Sequence, residues 1–222
     1  MKNMGLRGLC LVDPPEGLDS REARSLAYGA WDVLDGARRA EGLLEAVSAS
    51  VAVVGTTGRD APGAWTPRRL AGEAARLAGG GRLSLVFGPE ASGLTGSELD
   101  LCPVLVHVPT DAAQPSLNLA QAVLLLCYEL RLASLADGVR HEDGEGEGPA
   151  PAGEVERAIA DLRGALLGIG YLDTANPDRI LAELRRLIGR AQPTPREVSL
   201  LRGLARQVAW AGRVARGGPG IA

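Results

Sequence analysis

Three stretches of this 222-residue chain carry residue types that could hold a ligand or assist a reaction. The first, Val53–Arg59, reads VVGTTGR. Gly55 and Gly58 let backbone come close to a ligand, and the hydroxyls of Thr56 and Thr57 can bond it. A tight strand-to-loop turn would use the same residues. The second, Leu85–Leu99, reads LVFGPEASGLTGSEL and turns at Gly88, which places Glu90 just beyond an apolar run. Ligands of open α/β sheets sit beyond the carboxyl ends of strands, although a lone Glu there also serves as a solvated or helix-capping group. Ser92, Thr95 and Ser97 read as turn or helix-cap residues. The third, Val106–Val123, reads VHVPTDAAQPSLNLAQAV. Here Ser116, Leu117 and Asn118 open a helix whose free N–H groups can bind a carboxylate or ring nitrogens. Ser116 or Asn118 can also be a plain N-cap, and the two roles can coexist.

The elements that must position these stretches follow from apolar patterning. Leu9–Val12, Val51–Val54, Leu83–Phe87 and Val104–Val108 are short, nearly continuous apolar runs, as strands buried on both faces of a parallel sheet read. Between them lie the helix-like segments Ser20–Ala30, Glu41–Ser48 and Pro67–Ala78. Alternation of strand and helix predicts an α/β domain with a parallel sheet. Leu117–Leu135 is too long for a strand and predicts a largely buried helix. Residues 137–153 are dominated by Gly, Pro and Glu and predict a flexible linker. Beyond it, three apolar stripes predict a small helical domain, the last helix opening on a capping box of Thr194 and Glu197 with Pro195 between them. The expected division is therefore 1–136, 137–153 and 154–222.

Charge is unevenly spread. Residues 1–153 hold 13 Lys/Arg against 20 Asp/Glu, net −7, whereas residues 154–222 hold 11 Arg against 7 Asp/Glu, net +4. A basic terminal module suits a polyanion such as RNA, with Arg185, Arg186 and Arg190 as candidate contacts, and suits a solvated helix surface equally well. No wholly apolar run reaches the roughly 20 residues of a membrane span, so no membrane partner is expected. Cys10, Cys102 and Cys127 are far apart and lie in or beside apolar runs. They read as buried free thiols in a reducing cytoplasm, without the ligand spacing of a metal site.

Taken together, FGPEASGLTGSEL, VPT, PSLNLAQAV and YEL (Tyr128–Leu130) resemble the paired C-terminal motifs of the SpoU/TrmH class of the SPOUT superfamily. The resemblance implies an α/β domain with a C-terminal trefoil knot, S-adenosylmethionine as cofactor, and a homodimer. It implies cofactor contacts at Thr56, Thr57, Gly58, Gly88, Val108, Ser116, Leu117 and Asn118, and catalytic positioning by Ser116, Asn118 and Glu90. The segment Leu184–Leu204 is similar to that of class members that methylate the ribose 2′-hydroxyl at position 32 of tRNA, the first nucleotide of the anticodon loop. Asn3–Pro14 is similar to the segment after the family's first motif, Asn-x-Gly-x-x-x-Arg-Ala, so the first strand and the motif's Arg are expected to lie upstream of Met1. If they do not, the reading that remains is an RNA-binding relative of impaired catalysis. A nucleotide- or dinucleotide-binding protein is the more distant alternative, since no G-x-G-x-x-G follows a strand and no P-loop lysine occurs.

Overall fold

The computed structural model describes residues 1–15, 21–59, 61–115, 117–136 and 148–216. After a 3-10 turn at Lys2–Met4 come β1 (Cys10–Val12), α1 (Arg21–Leu26), α2 (Trp31–Asp35), β2 (Arg38–Ala40), α3 (Leu43–Val47) and β3 (Ala52–Thr57). They are followed by α4 (Pro67–Ala78), β4 (Leu83–Val86), α5 (Gly96–Asp100), β5 (Val104–His107) and α6 (Leu119–Ala136). The helices α7 (Ala152–Gly168), α8 (Asp178–Ala191) and α9 (Pro195–Ala215) complete the described chain.

Among the described residues the strand pairs are parallel, as the continuous apolar runs of β3, β4 and β5 predict. β3 lies at the centre of a three-stranded sheet in the order β4-β3-β5, and β1 and β2 form a separate pair. On one face, Leu70 and Leu77 of α4 and Leu126 of α6 pack over Ala52, Val54 and Val106. On the other, Leu43 and Val47 of α3 pack with Val53, Val86 and Cys102. Because β3 is covered on both sides, its sequence shows no polar alternation.

Several expectations change. β2 has the sequence RRA and reads as polar; only Ala40 is buried, and pairing with β1 makes it a strand. The helix expected over Ser20–Ala30 is shorter: α1 ends at Leu26, and Gly29 adopts φ 75° before α2 begins at Trp31, a left-handed conformation that interrupts a helix. α6 is not largely buried. Leu126 and Cys127 face the core, but Leu124, Tyr128 and Leu135 are 51%, 46% and 61% exposed, since α4 covers only one side of it. With 18 residues and a mean hydropathy of 1.5, α6 also meets the length and composition of a membrane span.

The expected linker also needs correction at its end. Residues 148–153 are packed: Ala150 is buried, and its N–H donates to the Pro193 carbonyl at 2.7 Å. Residues 137–147 lie outside the described residues. Pro and Gly content marked the stretch as unstructured, but Ala150 and the start of α7 find partners in elements distant in sequence. The capping box of Thr194 and Glu197 forms as expected, with Pro195 in the first turn of α9.

The cysteines are free thiols, Cys102 and Cys127 buried and Cys10 partly so. Burial pushes the Cys102 thiol up to about 12 from its usual 9.0, because a thiolate there would lose its hydration. A pKa raised by folding stabilises the native state fully below the unfolded value, and that contribution fades as pH rises through about 12. At pH 8 a disulfide reagent is therefore expected to modify Cys10 first. Cys102 and Cys127 should react only as the protein unfolds, which a thiol titration with and without denaturant measures.

Candidate functional site

The register of the sheet brings the three stretches together. Thr56 and Thr57 at the end of β3 lie beside Val106 and His107 at the end of β5, and Gly55 lies beside Val86 at the end of β4. Three loops thus leave the carboxyl edge of three adjacent parallel strands, the place where α/β sheets bind ligands. Side-chain bonds tie them to one another. The Thr56 hydroxyl donates to the Val86 carbonyl at 3.0 Å, joining the first loop to β4. His107 Nδ1 lies 3.1 Å from the Thr57 carbonyl, joining the first loop to β5. The amide of Asn118 donates to Glu90 at 3.0 Å, joining the second loop to the start of α6.

Each loop has a local reason for its shape. The Thr57 hydroxyl accepts from the Arg59 N–H at 3.1 Å and closes a tight turn around Gly58. A methyl group added to Gly58 would meet nothing within 4 Å, so the loop has open space there. Gly88 is the opposite case. A Cβ at that position would sit 2.6 Å from the Gly93 carbonyl oxygen and press on the backbone of Gly93 and Leu94. Only glycine permits that fold-back, which holds the backbone turn beside Glu90. Thr95 then caps α5 with Glu98 in a reciprocal box, as the sequence suggests. The third loop is braced by the Thr110 hydroxyl, which donates to the Pro115 carbonyl at 3.0 Å. Asn118 caps α6, its side-chain oxygen accepting from the Ala120 N–H at 2.9 Å, while its amide reaches Glu90. Capping and cross-loop bridging therefore coexist in one side chain.

Val108 is partly buried and packs on the β-sheet core, so its backbone continues the carboxyl edge. Leu117 is partly buried beside Asn118. Ser116 lies outside the described residues. Sequence reasoning missed His107: an isolated His inside an apolar run carries no motif, and only strand register aligns it with Thr57. It also missed Trp65, whose backbone N–H donates to the Leu105 carbonyl at 2.8 Å and whose ring carries the Arg69 guanidinium 4.5 Å from its centroid.

The basic candidates separate. Arg185 is half-buried and pairs with Glu156 of α7 at 2.8 Å, which makes it a helix-packing residue and not a free surface cation. Arg186 is exposed and pairs with Asp100 of α5 at 3.7 Å. Arg190 is exposed.

The chain matches the SpoU rRNA Methylase family over residues 1–128, and the C-terminal domain of the tRNA methyltransferase TrmJ over residues 153–218. It belongs to the SpoU family of methyltransferases, on the branch that carries the TrmJ C-terminal domain. The tRNA (cytidine/uridine/adenosine-2′-O-)-methyltransferase TrmJ of Pseudomonas aeruginosa is 40% identical, over 98% of this chain and 88% of its own length. The tRNA (cytidine/uridine-2′-O-)-methyltransferase TrmJ of Photorhabdus laumondii is 37% identical, over 95% and 89%. The crystal structure of TrmJ from Z. mobilis superposes with a TM-score of 0.79 at 32% identity, covering 94% of this chain and 89% of that one. Relatives named as methyltransferases do not favour the catalytically impaired reading.

Proposed function

We propose that the chain is an S-adenosylmethionine-dependent methyltransferase acting on a ribose 2′-hydroxyl of tRNA, at position 32 of the anticodon loop. The observation that carries this reading is the meeting of three loops at one sheet edge, tied by Thr56 to Val86, His107 to Thr57 and Asn118 to Glu90. The cofactor fits the residues present. Gly88 presents bare backbone beyond β4, the space over Gly58 is open, and the start of α6 offers N–H groups to a polar ligand. Thr56, Thr57, Gly58, Gly88, Val108, Leu117 and Asn118 would hold it, together with Ser116, which lies outside the described residues.

The bound cofactor supplies a methyl group on a positively charged sulfur. A ribose hydroxyl has a pKa far above neutral and attacks only when oriented and relieved of its proton. Glu90 and Asn118 hold each other in place at the meeting of two loops, so together they fix where a ribose can sit. Ser116 lies outside the described residues, and its part in positioning the ribose follows from the resemblance alone.

tRNA as substrate is supported by the relatives' names and by the net +4 of residues 154–222. The exposed apolar stripe of α6 supports a homodimer, with Leu124, Tyr128, Leu132 and Leu135 spaced along one face. A patch of this kind marks an interaction surface. We read it as a subunit contact and not a membrane span because its inner face is already packed on α4. Calorimetric titration with S-adenosylhomocysteine, NAD and ATP tests the cofactor. Saturable binding of the first alone is expected; binding of NAD or ATP in its place would overturn the assignment.

A further inference from the structure

The hydrogen bonds that tie the helical C-terminal domain to the sheet lie at the end opposite the candidate site, while α8 also borders a cavity lined by Pro62, Gly63, Ala64 and Gly96. α7 begins without a side-chain cap, and helix starts leave N–H groups unsatisfied. Two of them are satisfied across the interface. The Ala152 N–H donates to the Ser50 carbonyl at 2.8 Å and the Gly153 N–H to the Ser48 carbonyl at 3.0 Å, just before β3 begins. Gln192, in a left-handed conformation at φ 49°, extends its amide to the Leu77 carbonyl at 2.9 Å, at the end of α4. Its side-chain oxygen lies 3.5 Å from the Arg76 guanidinium, a long contact that adds little.

Close approach makes the joint tight. A Cβ on Gly189 of α8 would come within 2.7 Å of the Pro103 ring, just before β5. A Cβ on Gly79 would come within 2.7 Å of Pro149. Arg186 and Asp100 add an ion pair on the same side. Every one of these partners precedes β3 or β5 or ends α4, at the amino edge of the strands. β3 has six residues, so at a rise of ~3.3 Å per residue the two ends of the sheet stand about 20 Å apart.

We propose that the helical domain is latched to the amino edge of the sheet through Gln192, Gly189 and the first turn of α7, and serves as a fixed spacer for RNA. Its exposed cations, Arg190 among them, stand at a set distance from the site that positions the ribose. The enzyme therefore reads RNA against a rigid frame and not with a tethered arm. The RNA part of this inference rests on the function proposed above, and the latch does not.

Amide hydrogen exchange on the full chain tests the latch without RNA. First-turn amides of an isolated helix exchange rapidly because they lack intrahelical partners. Slowing of Ala152 and Gly153 by about 100-fold relative to unstructured chain therefore reports the cross-domain bonds. Gln192→Gly relaxes the backbone and deletes the side-chain bonds; Gly189→Val forces α8 off Pro103. Either variant is expected to lose that slowing, to bind a tRNA transcript about tenfold more weakly, and to keep its S-adenosylhomocysteine affinity. Rapid exchange at Ala152 and Gly153 in the unsubstituted protein would overturn the latch. Lost slowing with unchanged tRNA affinity would overturn the spacer. Slow exchange in a protein that binds no tRNA would overturn both the spacer and the proposed substrate while supporting the latch.

Discussion

Gly88→Ala is expected to weaken S-adenosylhomocysteine binding by more than about 100-fold. The added Cβ would press on the backbone of Gly93 and Leu94 and come within 2.6 Å of the Gly93 oxygen. Backbone cannot rotate aside as a side chain can, so the whole 88–94 turn has to move. Glu90 sits in that turn and moves with it, which breaks the bond from Asn118. Gly58→Ala is the paired control. Its Cβ meets nothing within 4 Å in the protein, so thermal stability should be unchanged. Weakened ligand binding by Gly58→Ala would then mean that the ligand itself occupies the space. Titration calorimetry on the two variants, with thermal unfolding alongside, separates the cases. Unchanged affinity in Gly88→Ala would remove the 88–94 turn from the cofactor site.

The second large effect concerns α6. Replacing Leu124 and Leu132 with Asp should convert a dimer into monomers at tens of micromolar. Both side chains are exposed on one chain. Each buried leucine contributes about 1.5–3 kcal/mol to a contact, and an unpaired carboxylate in its place adds a desolvation cost. The loss per dimer counts each substitution twice, because a two-fold interface repeats every residue. Sedimentation velocity should show the shift, and Leu126 and Cys127 on the inner face should keep the fold intact. Sedimentation of the unsubstituted protein as a monomer at the same concentration would contradict the dimer and leave the apolar stripe to another partner.

Much of the architecture was legible in the sequence where one physical signal dominated. The bounds of α4 coincide with those expected because Thr66 caps it, Pro67 starts it and Gly79 ends it in a left-handed turn. β3, β4 and β5 were legible because burial on both faces leaves an unbroken apolar run. β2 was not, since two of its three residues are arginines and its strand character comes from pairing with β1. The exposure of α6 was hidden for a related reason: an apolar helix reads the same whether its own chain or another copy covers it. At the site, Thr56, Gly88, Glu90 and Asn118 were legible from local chemistry, and the resemblance grouped them. The bonds that join them cross 28 to 50 positions of sequence and follow from strand register, which no local pattern encodes. The ion pair of Arg185 was not legible, because an arginine on a polar helix face looks the same whether it meets solvent or Glu156.

The central claim is methyl transfer to a ribose. Its most direct measurement is incubation of the protein with S-adenosylmethionine carrying a labelled methyl group and an unmodified tRNA transcript, followed by nuclease digestion and mass spectrometry of the fragments. The account predicts one labelled methyl on the ribose of the first anticodon-loop nucleotide, resistant to alkaline cleavage at that position, and no label when that nucleotide is supplied with a 2′-deoxyribose. Label on a base, or on the 2′-deoxy substrate, would contradict it.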